Sequence, residues 1–172
     1  MTIDGNKNRS IKRRGFTLAE AMLAVVVLSI AAAGVLLPFS SGAIVRAEGM
    51  RRTLSATLAS DLIEQIIVKP FHDPDGSVYD YNPGPDAGET SVGEFDNLDD
   101  FHGYSEPQGQ VKDAGGVVFT DSNYVNFSRS VSCEYVYVPQ ESRTTAPMFL
   151  LITVKVLYNG KQMASISRLV SE

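Results

Sequence analysis

Several residue types that supply chemistry are scarce in this sequence. Its 172 residues contain one cysteine, two histidines and no tryptophan. Since Cys133 has no partner in the chain, an internal disulfide and a cysteine-based zinc site are both excluded. There is no nucleotide-binding loop, nucleophile elbow or HExxH motif, and no constellation suited to nucleophilic or acid–base catalysis. The sequence therefore predicts a protein that is not an enzyme and has no cofactor.

Positive charge is concentrated at one end of the chain. The formal net charge is -5, which argues against a nucleic-acid-binding protein, because such a protein needs a basic face. The first fourteen residues nevertheless hold five Lys or Arg against one Asp. Residues 71–113 hold eleven acidic residues against one lysine. The sequence thus predicts a basic N-terminus, an acidic middle and no nucleic-acid partner.

A long stretch without charge follows the basic N-terminus. No charged side chain occurs from Ala21 to Val45. About 25 helical residues extend ~37 Å, enough to cross a hydrocarbon layer of ~30 Å. The basic cluster Lys12-Arg13-Arg14 precedes this stretch, so the positive-inside tendency predicts a cytoplasmic N-terminus and a single membrane pass. Everything after Arg46 is then expected on the other side of a bacterial inner membrane, in the periplasm.

Three interpretations are compatible with this apolar segment. It can be an ordinary signal peptide cut after Ser41-Gly42-Ala43, an uncleaved signal anchor, or a prepilin leader and helix. Glu20 bears on the choice, because a carboxylate in a membrane segment is costly to bury without a counter-charge. No Lys or Arg follows Glu20 before Arg46. Within one subunit, the nearby positive group would be a new α-amine created by cleavage close to Glu20.

The residues around Glu20 carry a family resemblance. They read Arg14-Gly15-Phe16-Thr17-Leu18-Ala19-Glu20. This segment resembles the processing site of type IV prepilins and type II secretion pseudopilins, in which a basic leader ending in glycine precedes an apolar helix. The resemblance implies that a prepilin peptidase cuts between Gly15 and Phe16 and methylates the new amine of Phe16. It also implies that Glu20 pairs with the N-terminal amine of a neighbouring subunit during assembly.

The resemblance implies a structural role for the whole chain. The expected function is a minor pilin or pseudopilin subunit of a membrane-anchored filament, with the prepilin peptidase and other subunits as partners. Pro38 stands close to the helix-bending proline of many pilins, so bending or unwinding is expected near Val35 to Leu37. The alternative is a signal-anchored or secreted periplasmic binding domain, for which cleavage after Ala43, or none, is expected.

The rest of the chain predicts an α+β fold. Apolar residues recur at helical spacing after Arg46: Ala47, Met50, Leu54, Leu58, Leu62 and Ile66. Period-two alternation predicts a strand from Phe127 to Tyr137, and β-branched residues predict a second from Phe149 to Tyr158. The Asn159-Gly160 pair predicts a hairpin into a third strand, and Gly116 to Phe119 is a candidate short strand. The distal half of a long helix should pack on this small antiparallel sheet.

These patterns divide the chain into five predicted segments. They are a leader at 1–15, a membrane-spanning and assembly helix at 16–45, an amphipathic continuation at 46–69, an acidic Gly/Pro-rich loop at 70–116, and an antiparallel sheet at 117–172. The helix should end near Lys69, because Pro70 disfavours a helical residue before it. In the strand after the loop, Cys133 is expected to be a buried, inert thiol.

The acidic loop offers oxygen ligands for calcium. The carboxylates occur in two runs, and the candidate ligands are Asp73, Asp75, Asp96, Asp99 and Asp100. Ca²⁺ takes several oxygen ligands, although neither run has the spacing of an EF-hand loop. Some major pseudopilins bind calcium in their loops, whereas a solvated loop is the simpler expectation. His72 and His102 lie in the same loop and are expected to be exposed. The segment from Phe95 to Tyr104 also resembles one found in minor pilins of the mannose-sensitive haemagglutinin type.

Overall fold

A computed structural model describes residues 15–74, 81–137 and 149–171. Within them the order is a long helix, a 3-10 turn and four strands. Helix α1 is Leu18–Ile66, the 3-10 turn is Asp99–Phe101, and the strands are β1 Ser105–Glu106, β2 Phe127–Val136, β3 Phe149–Tyr158 and β4 Lys161–Ser171. The chain forms two compact units that divide between Arg46 and Ala47. The fold is α+β, with the sheet packed against the helix, as the sequence predicts.

Helix α1 ends close to the predicted position. After Ile66 the N–H of Ile67 still bonds the carbonyl of Ile63 at 2.9 Å, and the N–H of Lys69 bonds that of Ile66 at 3.0 Å. Pro70 then prevents continuation, because its ring disfavours the helical conformation of the residue before it. The helical assignment runs through Pro38. Of the bending or unwinding expected near Val35 to Leu37, the unwinding is therefore wrong, while the bending stays a prediction.

The distal half of α1 supplies one wall of the hydrophobic core. Its buried residues are spaced three or four apart or adjacent along one face: Leu58, Ala59, Leu62, Ile63 and Ile66. The predicted stripe is right at Leu58, Leu62 and Ile66 but wrong at Met50, whose side chain is 65% exposed. The guanidinium of Arg51 lies 4.6 Å from the ring centroid of Tyr158. A cation over an aromatic ring adds to the contact between helix and sheet.

The sheet is antiparallel throughout, in the order β1-β2-β3-β4. Asn159 and Gly160 join β3 to β4 and have φ angles of 49° and 76°. Positive φ at both central residues is the requirement of a type I′ turn, whose twist matches that of the strands. The predicted hairpin is thus confirmed, with Tyr158 paired to Lys161 beside the turn. A register shift between Val156 and Leu157 then offsets the two strands.

Strands β2 and β3 carry the opposite wall of the core. Alternate residues of β3 are almost completely buried: Leu150, Ile152, Val154 and Val156. On β2 the buried set includes Phe127, Val131 and Cys133, so the predicted alternation is confirmed there. Lys155 is exposed on the other face of β3, also as predicted. Burial raises the pKa of the Cys133 thiol to about 12, which keeps it protonated and unreactive.

The predicted short strand at Gly116–Phe119 is wrong. The chain there makes one isolated bridge, between Lys112 and Val118. The reason is local, because Oδ1 of Asp113 accepts the N–H groups of Gly115 and Val117, both at 2.9 Å. A side-chain acceptor that captures nearby backbone donors forms a turn in place of a strand ladder.

A buried ion pair joins α1 to the sheet. Arg129 and Glu106 are each 2% exposed, and the Arg129 Nε donates to Glu106 Oε2 at 2.6 Å while Nη2 donates to Oε1 at 2.9 Å. The remaining donors reach the carbonyl of Leu58 at 3.0 Å and that of Lys112 at 2.7 Å. Every contact is charge-assisted, so the pair is both strongly bound and strictly oriented. Helix α1, strands β1 and β2 and the loop after β1 therefore meet at one guanidinium.

Part of the predicted 70–116 loop lies in the core. Phe95, Leu98, Phe101 and Val111 are buried, and this segment contains the 3-10 turn and β1. The rings of Phe95 and Phe101 meet edge-to-face with centroids 5.1 Å apart. Such aromatic pairs bury large apolar areas in a fixed arrangement. The segment from Phe95 to Val111 therefore contributes to the hydrophobic core, although it is also acidic.

Candidate processing and assembly segment

The helix of the first unit begins with a side-chain cap. The backbone N–H of Glu20 donates to Thr17 Oγ1 at 3.2 Å, and the N–H of Ala21 donates to the Thr17 carbonyl at 3.1 Å. Threonine before the first helical residue, with glutamate three positions later, is the arrangement of a capping box. The cap places Glu20 in the first turn, at the positive end of the helix dipole, where a carboxylate is favoured. Gly15 and Phe16 lie outside the helix, directly before the cap.

The first unit presents its apolar side chains outward. Large apolar residues from Phe16 to Val45 are mostly exposed, with Leu28, for example, 69% exposed. The polar Ser29 donates its hydroxyl to the carbonyl of Val25 at 2.7 Å, which satisfies it without water. By length and composition α1 is a candidate membrane span. Since a signal sequence would share these properties, the residues at the start of the helix decide between the two.

Residues 11–36 match the family model of the prokaryotic N-terminal methylation motif. The chain carries this motif, which is the signature of type IV pilins and pseudopilins. The motif spans Gly15, Phe16 and Glu20 and continues into the apolar part of α1. Comparison with curated proteins and with solved structures finds no match for the chain.

The match confirms the resemblance to type IV prepilins and pseudopilins that the residues around Glu20 indicate. It supports a type IV pilin-like protein that is processed by a prepilin peptidase, and the motif family consists of structural subunits, not enzymes. The motif and the apolar helix together indicate a membrane-anchored protein. The predicted leader, 1–15, lies outside the described residues except for Gly15.

The predicted calcium ligands are distributed unevenly. Asp96 and Asp100 lie close together, whereas Asp73 is in a separate part of the loop and Asp75 falls outside the described residues. Asp99 is buried and accepts a hydrogen bond from the Tyr135 hydroxyl at 2.8 Å. Burial raises the pKa of the Asp99 carboxyl, although the bond from Tyr135 partly opposes this. Asp99 thus serves to fix the 3-10 turn to β2.

Glu89 is a member of the acidic group that the sequence analysis did not single out. One carboxylate oxygen from each of Glu89, Asp96 and Asp100 lies within 4.8 Å of the others. Glu89 stands seven residues before Asp96, outside both aspartate runs, and only the fold brings it to them. Spacing along the chain therefore could not identify it. The acidic richness of 71–113 was the one available signal.

Of the two loop histidines expected to be exposed, His102 is exposed and His72 is partly buried. Although His102 is exposed, its Nδ1 lies 2.7 Å from the Cys133 carbonyl oxygen and 3.2 Å from the Cys133 backbone N. His72 is partly buried and its ring contacts Phe71 edge-on at 5.0 Å between centroids. Both histidines thus pack against neighbouring residues, and neither belongs to the acidic group.

Proposed function

We propose that the chain is a structural subunit of a type IV pilus-like or type II secretion filament, as a minor pilin or pseudopilin. The match of residues 11–36 to the N-terminal methylation motif carries this proposal. The exposed apolar surface of α1 supports it, because side chains of this kind need either lipid or neighbouring apolar helices. The resemblance of Phe95 to Tyr104 supports, within this class, a minor pilin of the mannose-sensitive haemagglutinin type.

Processing is proposed between Gly15 and Phe16 on the cytoplasmic side of the inner membrane, followed by methylation of Phe16. Both residues precede the capped first turn, so the backbone at the cut is not held in helical hydrogen bonds. A protease must bind its substrate as an extended chain, and glycine permits close approach. The domain after Arg46 then faces the periplasm.

Assembly is proposed to depend on the Glu20 carboxylate. In the described residues it makes no ion pair within the chain. Its surroundings are apolar, so a counter-charge from outside the subunit would be favourable. The N-terminal amine of Phe16 in a neighbouring subunit is the proposed partner, and the pairing would set the axial position of the two helices.

The processing proposal is tested by intact mass and N-terminal sequencing of the protein from membranes, with and without the prepilin peptidase. We expect a mature chain that starts at methylated Phe16 and is lost without the peptidase. Gly15→Val should block this cut, and Gly34→Val is its matched control. A Cβ at either glycine meets no atom within 4 Å, so neither substitution causes a steric clash. Loss of cleavage in Gly15→Val but not in Gly34→Val would therefore show that the peptidase requires glycine at position 15.

Two results would overturn this processing scheme. A chain starting at Ile44 would indicate cleavage by ordinary signal peptidase, and an untrimmed chain indifferent to the prepilin peptidase would indicate a signal anchor. Either result would leave a secreted or anchored periplasmic binding domain as the function.

The assembly proposal is tested by Glu20→Gln in cells that make the filament. We expect normal cleavage but at least a tenfold loss of incorporation into sheared filaments, because the amide keeps the size of the side chain and removes its charge. Glu48→Gln is the matched control, since Glu48 lies on the same helix and bonds Arg52 of its own chain at 2.7 Å. Equal incorporation of the two variants would exclude the proposed role of Glu20.

A further inference from the structure

Three carboxylates from two turns converge beside the 3-10 turn. Glu89, Asp96 and Asp100 each place one oxygen within 4.8 Å of the others. Asp100 is 1% exposed, whereas Glu89 and Asp96 are partly exposed. The group is thus anchored on a buried residue and open on one side. Three like charges at this separation repel one another, so the arrangement needs an explanation.

The buried member of the group, Asp100, has one carboxylate oxygen without a hydrogen-bond partner among the described residues. Oδ2 of Asp100 accepts the backbone N–H groups of Asp96 and Asn97, both at 2.9 Å. Oδ1 of Asp100 is buried and has no hydrogen-bond partner among the residues that the structure describes. A buried polar atom without a partner is costly, so in a native protein it indicates a site for a water molecule or an ion. Because Glu89 and Asp96 each place a carboxylate oxygen within 4.8 Å of an oxygen of Asp100, the partner that suits this position is a positive one.

The backbone around Asp100 is fixed before any ligand binds. Asn97 Oδ1 accepts the N–H groups of Asp99 and Asp100, at 2.9 and 3.1 Å, so Asn97 and Asp100 cap each other's backbone. The N–H of Leu98 donates to the Pro70 carbonyl at 3.0 Å, which ties the turn to the end of α1. The Asp100 carboxylate and the backbone of Asp96 are therefore held in place by the fold. A preorganised set of ligands binds with a smaller loss of entropy than a flexible one.

Glu89 belongs to a different turn. Its Oε2 accepts the N–H of Asp86 at 3.1 Å, and its own N–H bonds the Asp86 carbonyl at 3.1 Å. Burial raises the pKa of the Glu89 carboxyl, and the negative charges of Asp100 and Asp96 add to the effect. When ionised, Glu89 and Asp100 are both acceptors, so a hydrogen bond between them needs one to keep its proton. A ligand placed here would hold the two turns together.

We infer that Glu89, Asp96 and Asp100 form a divalent-cation site that takes calcium. All three ligands are hard oxygens, which Ca²⁺ prefers, and Ca–O distances of about 2.3–2.6 Å allow oxygens across the ion to lie about 5 Å apart. The ion gives Oδ1 of Asp100 a partner and offsets two of the three negative charges. A shared proton would offset only one charge and leave the third carboxylate without a role. Water on the open side would complete the coordination.

The test is calorimetric titration of calcium into the chelator-treated full chain in detergent, together with thermal unfolding in calcium and in chelator. We expect binding in the range of about 10⁻⁴–10⁻³ M that is common for extracellular sites. Saturating calcium should raise the midpoint of unfolding by on the order of 5–10 °C, because a ligand that binds only the folded state stabilises it. Magnesium should bind at least about tenfold more weakly, since it demands a smaller and stricter octahedron.

Two variants and a control complete the test. Glu89→Gln and Asp100→Asn should each weaken calcium binding at least about tenfold, while Glu134→Gln, an exposed carboxylate on β2, should leave it unchanged. The amide of Asp100→Asn can still accept from the backbone and can donate to Glu89. In chelator this variant should therefore unfold at or above the wild-type temperature, and in calcium the order should reverse.

Either of two results would overturn the calcium site. One is no calcium binding by the wild-type chain, with metal-free stability that falls as pH rises, which is the signature of a shared proton. The other is undiminished binding in Glu89→Gln. The inference does not depend on cleavage or filament assembly, so its failure would leave the proposed function intact.

Discussion

The two halves of α1 are both helical, but they distribute their apolar residues differently around the helix. From Leu18 to Arg46 the helix is exposed on all sides, and its apolar residues cover its whole circumference. From Ala47 to Ile66 most of the apolar residues occupy one face, and from Leu58 onward that face is buried. A helix that is apolar all round suits a membrane or a bundle of helices, whereas an apolar stripe suits a sheet. The distribution of apolar residues around a helix therefore tells more about its surroundings than their number does.

The largest expected effect comes from removing the cation that joins the second half to the sheet. Arg129→Ala should lower the free energy of unfolding of the C-terminal unit by about 3–5 kcal/mol, because it leaves Glu106 buried and unpaired. Denaturation of the full chain in urea, followed by tyrosine fluorescence, measures the change. Membrane insertion depends on the apolar residues before Arg46, so it should be unaffected.

Arg168→Ala is the matched control for that prediction. Arg168 lies on β4 and reaches Glu64 of α1 at 3.7 Å, with both side chains more than half exposed. Exposed pairs of this kind contribute little, so we expect a change within about 0.5 kcal/mol. If Arg129→Ala cost no more than Arg168→Ala, the buried pair could not be what joins helix to sheet.

A pair of leucines compares the two halves directly. Leu58 is 2% exposed in the second half and Leu28 is 69% exposed in the first. Leu58→Ala should cost about 2–5 kcal/mol in the same urea transition, because it opens a cavity in the core. Leu28→Ala should change that transition by less than about 0.5 kcal/mol, since no cavity forms. Equal losses from both variants would show that the first half also folds against the C-terminal unit.

Local signals predicted the parts of the fold that depend on few residues. The Asn159-Gly160 turn, the burial pattern of β2 and β3, and the end of α1 before Pro70 all follow from short patterns with a direct steric cause. The methylation motif is of the same kind, because its residues are contiguous. Such features can be predicted from the sequence without knowing which distant segments of the chain contact one another.

The features that sequence reasoning missed depend on contacts between distant segments. Arg129 occupies an inward position of β2, and nothing nearby in the sequence shows that Glu106 and Leu58 will satisfy it. Ala59 and Ile63 also lie on the buried face, which is wider than the stripe predicted from one residue per turn. The grouping of Glu89 with Asp96 and Asp100 likewise arises only when two turns meet.

The hydrogen bond between Arg129 and helix α1 also sets the order in which parts of the C-terminal unit can fold. Its partner on the helix, the carbonyl of Leu58, lies 71 residues earlier in the chain. In the proposed topology the N-terminus stays in the cytoplasm and the segments after Arg46 cross the membrane in chain order, so the buried face of α1 would emerge long before β2 and β3 arrive to cover it. Contacts between segments so far apart form slowly, because a long loop must close first. The emerging chain would therefore pass through an interval in which an apolar helix face is uncovered, and a chaperone that binds apolar helices would act during that interval.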